Sequence, residues 1–79
     1  MNDLHIASLI VRTRVECAQA LAARISQHAD TEVHAVEDGK IVVVLEAPTE
    51  RLLADRMDEL RHEPEVLFVN LVYHQMDAT

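Results

Sequence analysis

TEVHAVEDGKIVVVLEA, residues 31–47, is the stretch that decides the fold. Two runs typical of β-strands, 31–36 and 40–47, lie on either side of Asp38-Gly39, and Gly39 is the only glycine in the chain. A two-residue hairpin turn needs positive φ angles, which glycine adopts without steric cost. The stretch therefore predicts an antiparallel hairpin.

Residues before the hairpin predict a strand and a helix. The apolar, β-branched run 4–11 is typical of a buried strand. Thr13 and Glu16 have the spacing of a helix capping box. The following helix would bury an apolar stripe with helical spacing, formed by Ala18, Leu21, Ala22 and Ile25.

A second helix and a last strand follow the hairpin. Pro48 ends the third strand, and Thr49 is the predicted cap of a helix that runs to about His62. The stripe of this helix is Leu53, Met57 and Leu60. Pro64 separates the helix from a strand over 65–74. Residues 76–79 are expected to be a frayed tail.

The element order is strand, helix, strand, strand, helix, strand. In a chain of 79 residues this order predicts one α+β domain over 1–79 with a ferredoxin-like βαββαβ plait. We expect a four-stranded antiparallel sheet with two helices on one face. The first and third strands would be central, and the second and fourth would be the edges.

Composition excludes several classes of protein. A net charge of −7 would be repelled by nucleic acid and by anionic membranes, and it would attract a cationic partner. One cysteine, Cys17, cannot form an internal disulfide, and we expect it to be a small packed residue. There is no signal-peptide pattern and no apolar run long enough to cross a bilayer, so we expect a cytoplasmic protein.

Nothing in the chain predicts an enzyme, a cofactor or a metal site. One glycine is too few for a phosphate-binding loop or a dinucleotide fingerprint, and this also counts against an acylphosphatase. The five histidines lack the short spacing of metal ligands. They are His5, His28, His34, His62 and His74.

Strand parity divides the side chains between two faces. We expect the helices to cover one row on each of three strands: Ala7, Leu9 and Val11; Ile41, Val43, Leu45 and Ala47; Leu67, Val69, Leu71 and Tyr73. The other face, which we call the open face, would carry Ile6, Ser8, Ile10, Glu32, His34, Val36, Lys40, Val42, Val44, Glu46, Val66, Phe68, Asn70, Val72 and His74.

An apolar open face indicates an interface. Self-association through this face and capture of a partner are both compatible with it, and the edge strands could also accept an extended peptide. From the residues alone, a small ligand-sensing or dimerisation module stays an alternative to a peptide-binding protein.

Three stretches resemble the NapD family of small cytoplasmic chaperones of the periplasmic nitrate reductase. They are ASLIV (7–11), IVVVLEA (41–47) and, most specifically, LVYHQ (71–75). The resemblance spans the whole chain. Where the family has a serine before the last run, this sequence has Asn70, which keeps a polar group on the open face.

The resemblance implies a function and a site. The function is binding of the twin-arginine signal peptide of the nitrate reductase catalytic subunit, which restrains export until the cofactor is inserted and the subunit is folded. The predicted site is the open face, with the partner contacting Ile6, Ser8, Ile10, Glu32, His34, Val42, Val44, Glu46, Phe68, Asn70, Val72, His74 and Gln75. Tyr73 would instead pack inward under a helix end.

The acidic candidates for the arginine contacts are Glu32, Asp38 and Glu46. The protein is expected to be a monomer or a weak homodimer that binds neither nucleic acid nor membrane. The residues leave open whether the peptide binds as a helix on the sheet or as an added strand.

Overall fold

A computed structural model of the chain describes residues 3–78. Its elements follow the predicted order, with one additional 3-10 turn at Val15–Cys17. The strands are β1 (Asp3–Arg12), β2 (Thr31–Glu37), β3 (Lys40–Ala47) and β4 (Phe68–Ala78), and the helices are α1 (Ala18–Ile25) and α2 (Glu50–Arg61). The sheet is antiparallel with the order β2-β3-β1-β4. The predicted ferredoxin-like plait, with β1 and β3 at the centre, is confirmed.

The hairpin between β2 and β3 has the predicted two-residue turn. Asp38 and Gly39 both have positive φ, at 48° and 77°, as a type I′ turn requires. Gly39 is also buried against the segment that follows β1: a Cβ atom there would lie 2.5 Å from the carbonyl oxygen of Thr13. Glycine is therefore needed both for its conformation and for the close approach of another backbone.

One predicted helix cap is present and the other is not. The Thr49 hydroxyl accepts a hydrogen bond from the Leu52 amide at 3.1 Å and caps α2 as expected. The Thr13–Glu16 capping box is wrong. Thr13 is buried, and its hydroxyl donates to the carbonyl oxygen of Glu65 at 2.7 Å, so its side chain ties the end of β1 to the connection that precedes β4.

The core lies between the sheet and the two helices. The predicted inward rows of β1 and β3 and the predicted stripe of α1 are all buried, and Leu53 and Leu60 of α2 complete the set. Met57, Val33, Val36, Val66 and Val69 pack against its margin. Val36 pairs with Ile41, so it lies on the helix side, which corrects its predicted place on the open face. A bulge at His34 in β2 causes this change.

Residues 63–67 form a connection, although 65–67 were predicted as strand. Arg24 of α1 donates to Glu65 Oε1 at 2.8 Å and to the Pro64 carbonyl at 2.9 Å, and Glu65 adopts a positive φ of 78°. Strand β4 therefore starts at Phe68. Strand parity does not apply to the two residues before it: Val66 packs against the core, whereas Leu67 is 60% exposed, the reverse of the prediction.

Strand β4 pairs with β1 along its whole length and contains a bulge. Leu71 pairs with Leu9 and Tyr73 pairs with Ser8, which leaves Val72 as the additional residue. Tyr73 and His74 are each on the face opposite to the predicted one: Tyr73 lies on the open face and His74 lies on the helix side. Pairing continues to Ala78, through most of the predicted tail, and Thr79 is outside the described residues.

Candidate functional site

The face of the sheet opposite the helices is the candidate site. The strand registers place four rows of side chains on this open face; three of them cross the sheet from β2 to β4, and the fourth runs from β3 to β4. The rows are Glu37, Lys40, Arg12 and Phe68; Ala35, Val42, Ile10 and Asn70; Glu32, Val44, Ser8 and Tyr73; and Glu46, Ile6 and Gln75.

The middle of the open face is apolar. Ile6, Ile10, Val42 and Val44 are half-buried by their neighbours on the strands, although no helix lies over them. At the β4 edge, Phe68 is 54% exposed. A continuous apolar surface on a small acidic domain is typical of a binding surface.

One end of the open face is acidic. Asp30, Glu32 and Glu46 line a pocket of about 190 Å³ together with Thr31 and Val44, and we call this group of three acids the acidic corner. The backbone holds the corner together, because the Glu46 amide donates to the Asp30 carbonyl at 3.0 Å. Asp30 also accepts from Arg56 at 3.2 Å. Glu32 and Glu46 are exposed, and Glu32 lies 3.1 Å from His34.

The opposite end of the open face carries cations. Arg12 of β1 lies between Lys40 of β3 and Phe68 of β4, and the side chains of Arg12 and Lys40 are half-buried. Asp38 lies at this end, in the hairpin turn. It therefore lies at the opposite end of the sheet from Glu32 and Glu46, and a contact of any of the three acids with the arginines stays a prediction.

The structure brings most of the predicted contact residues together. Those that share the open face are Ile6, Ser8, Ile10, Glu32, Val42, Val44, Glu46, Phe68, Asn70 and Gln75. His34 and Val72 are the unpaired bulge residues of the two edge strands, and both are exposed. Their role in binding stays a prediction for all of these residues.

His74 is the predicted contact residue that the fold moves away from the open face. Its Nε2 atom lies 3.1 Å from Nδ1 of His5, in the row on the helix side of the sheet. His74 also borders a groove between β4 and α2 of about 150 Å³, which is lined by Glu50, Leu53, Ala54, Met57, Leu71 and His74. The bulge at Val72 is the cause, because the additional residue reverses the faces on which the later side chains of β4 lie.

The sequence interpretation missed Tyr73, Arg12 and Asp30 as members of the site. No glycine or proline marks the β4 bulge, so strand parity alone put Tyr73 inward. Asp30 could have been found from the sequence. Pairing residues outward from the Asp38-Gly39 turn places Asp30 within one residue of the position opposite Glu46. Within residues 3–78, no three side chains of His, Cys, Asp or Glu are grouped so as to hold a metal ion.

Comparison with known proteins identifies the family. Residues 4–78 match the family model described as NapD protein. The chain belongs to the NapD family. NapD relatives named "Chaperone NapD" include the Haemophilus influenzae protein, which is 30% identical over 78 residues that cover 96% of this chain and 84% of the relative. The Paracoccus pantotrophus protein is 37% identical, covering 92% of this chain and 65% of the relative.

The Escherichia coli K12 NapD chaperone is 32% identical over 79 residues, which cover 96% of this chain and 90% of the relative. The solution structure of the E. coli Tat proofreading chaperone NapD has the same fold, with a TM-score of 0.85 and 28% identity over 91% of this chain and 78% of that one. These relatives are named chaperones rather than enzymes, in agreement with the prediction that this chain is not an enzyme. Neither described helix of this NapD chain has the length and apolar character needed to cross a bilayer.

Proposed function

We propose that this chain binds the twin-arginine signal peptide of the catalytic subunit of the periplasmic nitrate reductase. Bound in the cytoplasm, the peptide would be withheld from the export machinery until the cofactor is inserted and the subunit is folded. Membership of the NapD family supports this proposal, and so does the likeness to a solved Tat proofreading chaperone.

The observation that carries the proposal is the open face, where an apolar surface ends at the acidic corner. A signal peptide of this class has paired arginines followed by an apolar segment. Carboxylates bind guanidinium groups by paired, charge-assisted hydrogen bonds, and Glu32 and Glu46 are exposed and available to the partner. The apolar segment would remove Val42, Ile10 and Phe68 from water.

The charges on the open face also give the peptide a direction. Arg12 and Lys40 would repel arginines at the end opposite the acidic corner. The paired arginines therefore lie at the corner in this proposal, and the apolar segment crosses the sheet towards β4. The net charge of −7 steers a cationic peptide to the domain at low ionic strength.

A titration watched by amide chemical shifts tests the proposal. Labelled protein receives a synthetic signal peptide with paired arginines, and we expect shifts for Ile6, Ile10 and Val44 on the open face. Amides on the exposed side of α1, such as Gln19 and Ala23, are the internal control and should not move. Shifts confined to the helices, or no binding at all, would contradict the proposed function.

A further inference from the structure

The β4 bulge decides which end-of-strand side chains lie on the open face. In the observed register, Ser8 pairs with Tyr73 and Ile6 pairs with Gln75. Both side chains of β4 therefore stand beside Ile6 and Ser8 on the open face, where the Tyr73 hydroxyl donates to Gln75 Oε1 at 3.2 Å. Tyr73 adds an aromatic side chain, and this residue is 54% exposed.

A continuous strand would present different residues. Without the bulge, Val72 would pair with Ser8, and Tyr73 would pair with Ala7. Ala7 has no exposed surface, so the ring would turn towards the helices. Gln75 would also lie on the helix side, and His74 would lie on the open face. The reason is that a shift of one residue moves every later side chain to the opposite face. The two registers thus offer different surfaces to a partner.

One contact on the helix side exists only in the bulged register. His5 lies in the helix-side row of β1, since it pairs with Ala47 on one side and Met76 on the other. Its Nδ1 atom is 3.1 Å from His74 Nε2, and the two rings are 5.3 Å apart at an angle of 31°. One ring nitrogen donates and the other accepts, so the contact is a hydrogen bond between β1 and β4. In the continuous register, His74 would be on the other face of the sheet.

We propose that His5 is a positioning residue for peptide binding. By its hydrogen bond to His74, it holds the bulge at Val72 and thereby keeps Tyr73 and Gln75 on the open face. The geometric part of this inference stands on the register and the His5–His74 contact. The consequence for peptide binding rests on the proposed function.

Four variants test the proposal. His5→Leu removes the hydrogen bond and keeps an apolar side chain of similar size. His5→Asn is the conservative variant, because its amide has a polar atom near the position of Nδ1. His74→Leu removes the same hydrogen bond from β4. The matched control is His62→Leu, at an exposed histidine that bonds within α2.

Cross-strand nuclear Overhauser contacts between α-protons measure the register in the free protein. We expect His5→Leu and His74→Leu to lose the Ser8–Tyr73 contact, fully or in a second set of signals, and to gain Ser8–Val72. His5→Asn and His62→Leu should keep the wild-type contact. A merely structural role for His5 would lower the melting temperature without changing this pattern.

Peptide titration of the same variants measures the consequence. Loss of one hydrogen bond that orients the surface should weaken affinity about 2- to 10-fold in His5→Leu, with recovery in His5→Asn. An unchanged Ser8–Tyr73 contact in both leucine variants would overturn the proposal. A changed register with unchanged affinity would overturn the positioning role. If the wild-type protein does not bind the peptide, the proposed function fails, and the register data still decide whether His5 holds the bulge.

Discussion

Val69 of β4 pairs with Val11 of β1, and the two side chains lie on the helix side of the sheet. Val69 packs against the margin of the core, next to a Val11 side chain with no exposed surface. Its neighbour Phe68 pairs with Arg12 and points to the open face, where 54% of it is exposed. Variants of these two adjacent residues therefore test stability and the proposed binding separately.

Val69→Ala should lower the free energy of unfolding by about 1–2 kcal/mol, because it removes two methyl groups from the core margin. Phe68→Ala should cost less than about 1 kcal/mol, since the ring is largely in water in the free protein. Peptide affinity should show the opposite order. Chemical denaturation and peptide titration of both variants measure this, and the reverse pair of phenotypes would show that the open face is the core.

Gly39→Ala should be one of the most damaging single-methyl changes in the chain. The new Cβ would lie 2.5 Å from the Thr13 carbonyl oxygen, at a residue with a φ of +77°. We expect a loss of more than about 1 kcal/mol of stability, measured by chemical denaturation. Asp38→Gly is the matched control in the same turn: it relieves a positive φ of 48° and should be neutral or stabilising. Equal stability of Gly39→Ala and wild type would show that the turn is not held against Thr13.

Local signals were enough to predict the hairpin, the Thr49 cap and the order of the strands. Gly39 supplies the positive φ of its own turn, Thr49 caps an amide three residues away, and the rows of β1 and β3 follow from an uninterrupted alternation. Predictions from local sequence fail where a residue instead forms a hydrogen bond with a partner that is distant in the sequence. Thr13 donates to the Glu65 carbonyl instead of capping a helix, and Arg24 donates to Pro64 and Glu65, where the strand was predicted to begin.

The bulges at His34 and Val72 were beyond the reach of sequence patterns for the same reason. Each bulge is a property of a strand pair, and no glycine or proline marks it in either strand. The register error was small, but it moved Tyr73 and His74 to the wrong faces. The apolar centre of the candidate site lies on β1 and β3, and the alternation of these two strands was predicted correctly.

The free energy of unfolding should fall at low pH, because the Glu63 carboxylate becomes protonated. Hydrogen bonds from His28 at 2.6 Å, and then from Arg24 at 3.3 Å, lower the pKa of Glu63 below its ordinary value of 4.5. The unfolded chain therefore binds a proton to this carboxyl at a higher pH than the folded protein does. The contribution is complete above about pH 4.5 and is lost as the pH falls through the lowered pKa.

Glu63→Gln should consequently flatten the fall of the unfolding free energy below pH 4.5, measured by urea denaturation at a series of pH values. Glu59→Gln removes a carboxylate from the exposed side of α2, outside this network, and separates the effect of the contacts from a change in net charge. If the two variants have the same pH dependence, the contacts of Glu63 do not contribute to acid stability.

The proposed contacts between the peptide arginines and the acidic corner predict an affinity that falls with salt and that depends on which end of the open face loses a charge. Affinity for the twin-arginine peptide should weaken as ionic strength rises, because exposed charge pairs are screened. Replacing both arginines of the peptide by lysine should weaken binding, and replacing them by glutamine should weaken it more, since lysine keeps the charge but not the paired hydrogen bonds.

On the protein, Glu46→Gln at the acidic corner should cost about 2- to 5-fold in affinity. Glu37→Gln is the matched control: it removes the same charge from the same face, opposite Lys40 at the other end. Calorimetric titration at two salt concentrations measures all of these. A loss that is equal for Glu46→Gln and Glu37→Gln would mean that the peptide responds only to net charge, and the assignment of the arginines to the acidic corner would then be wrong.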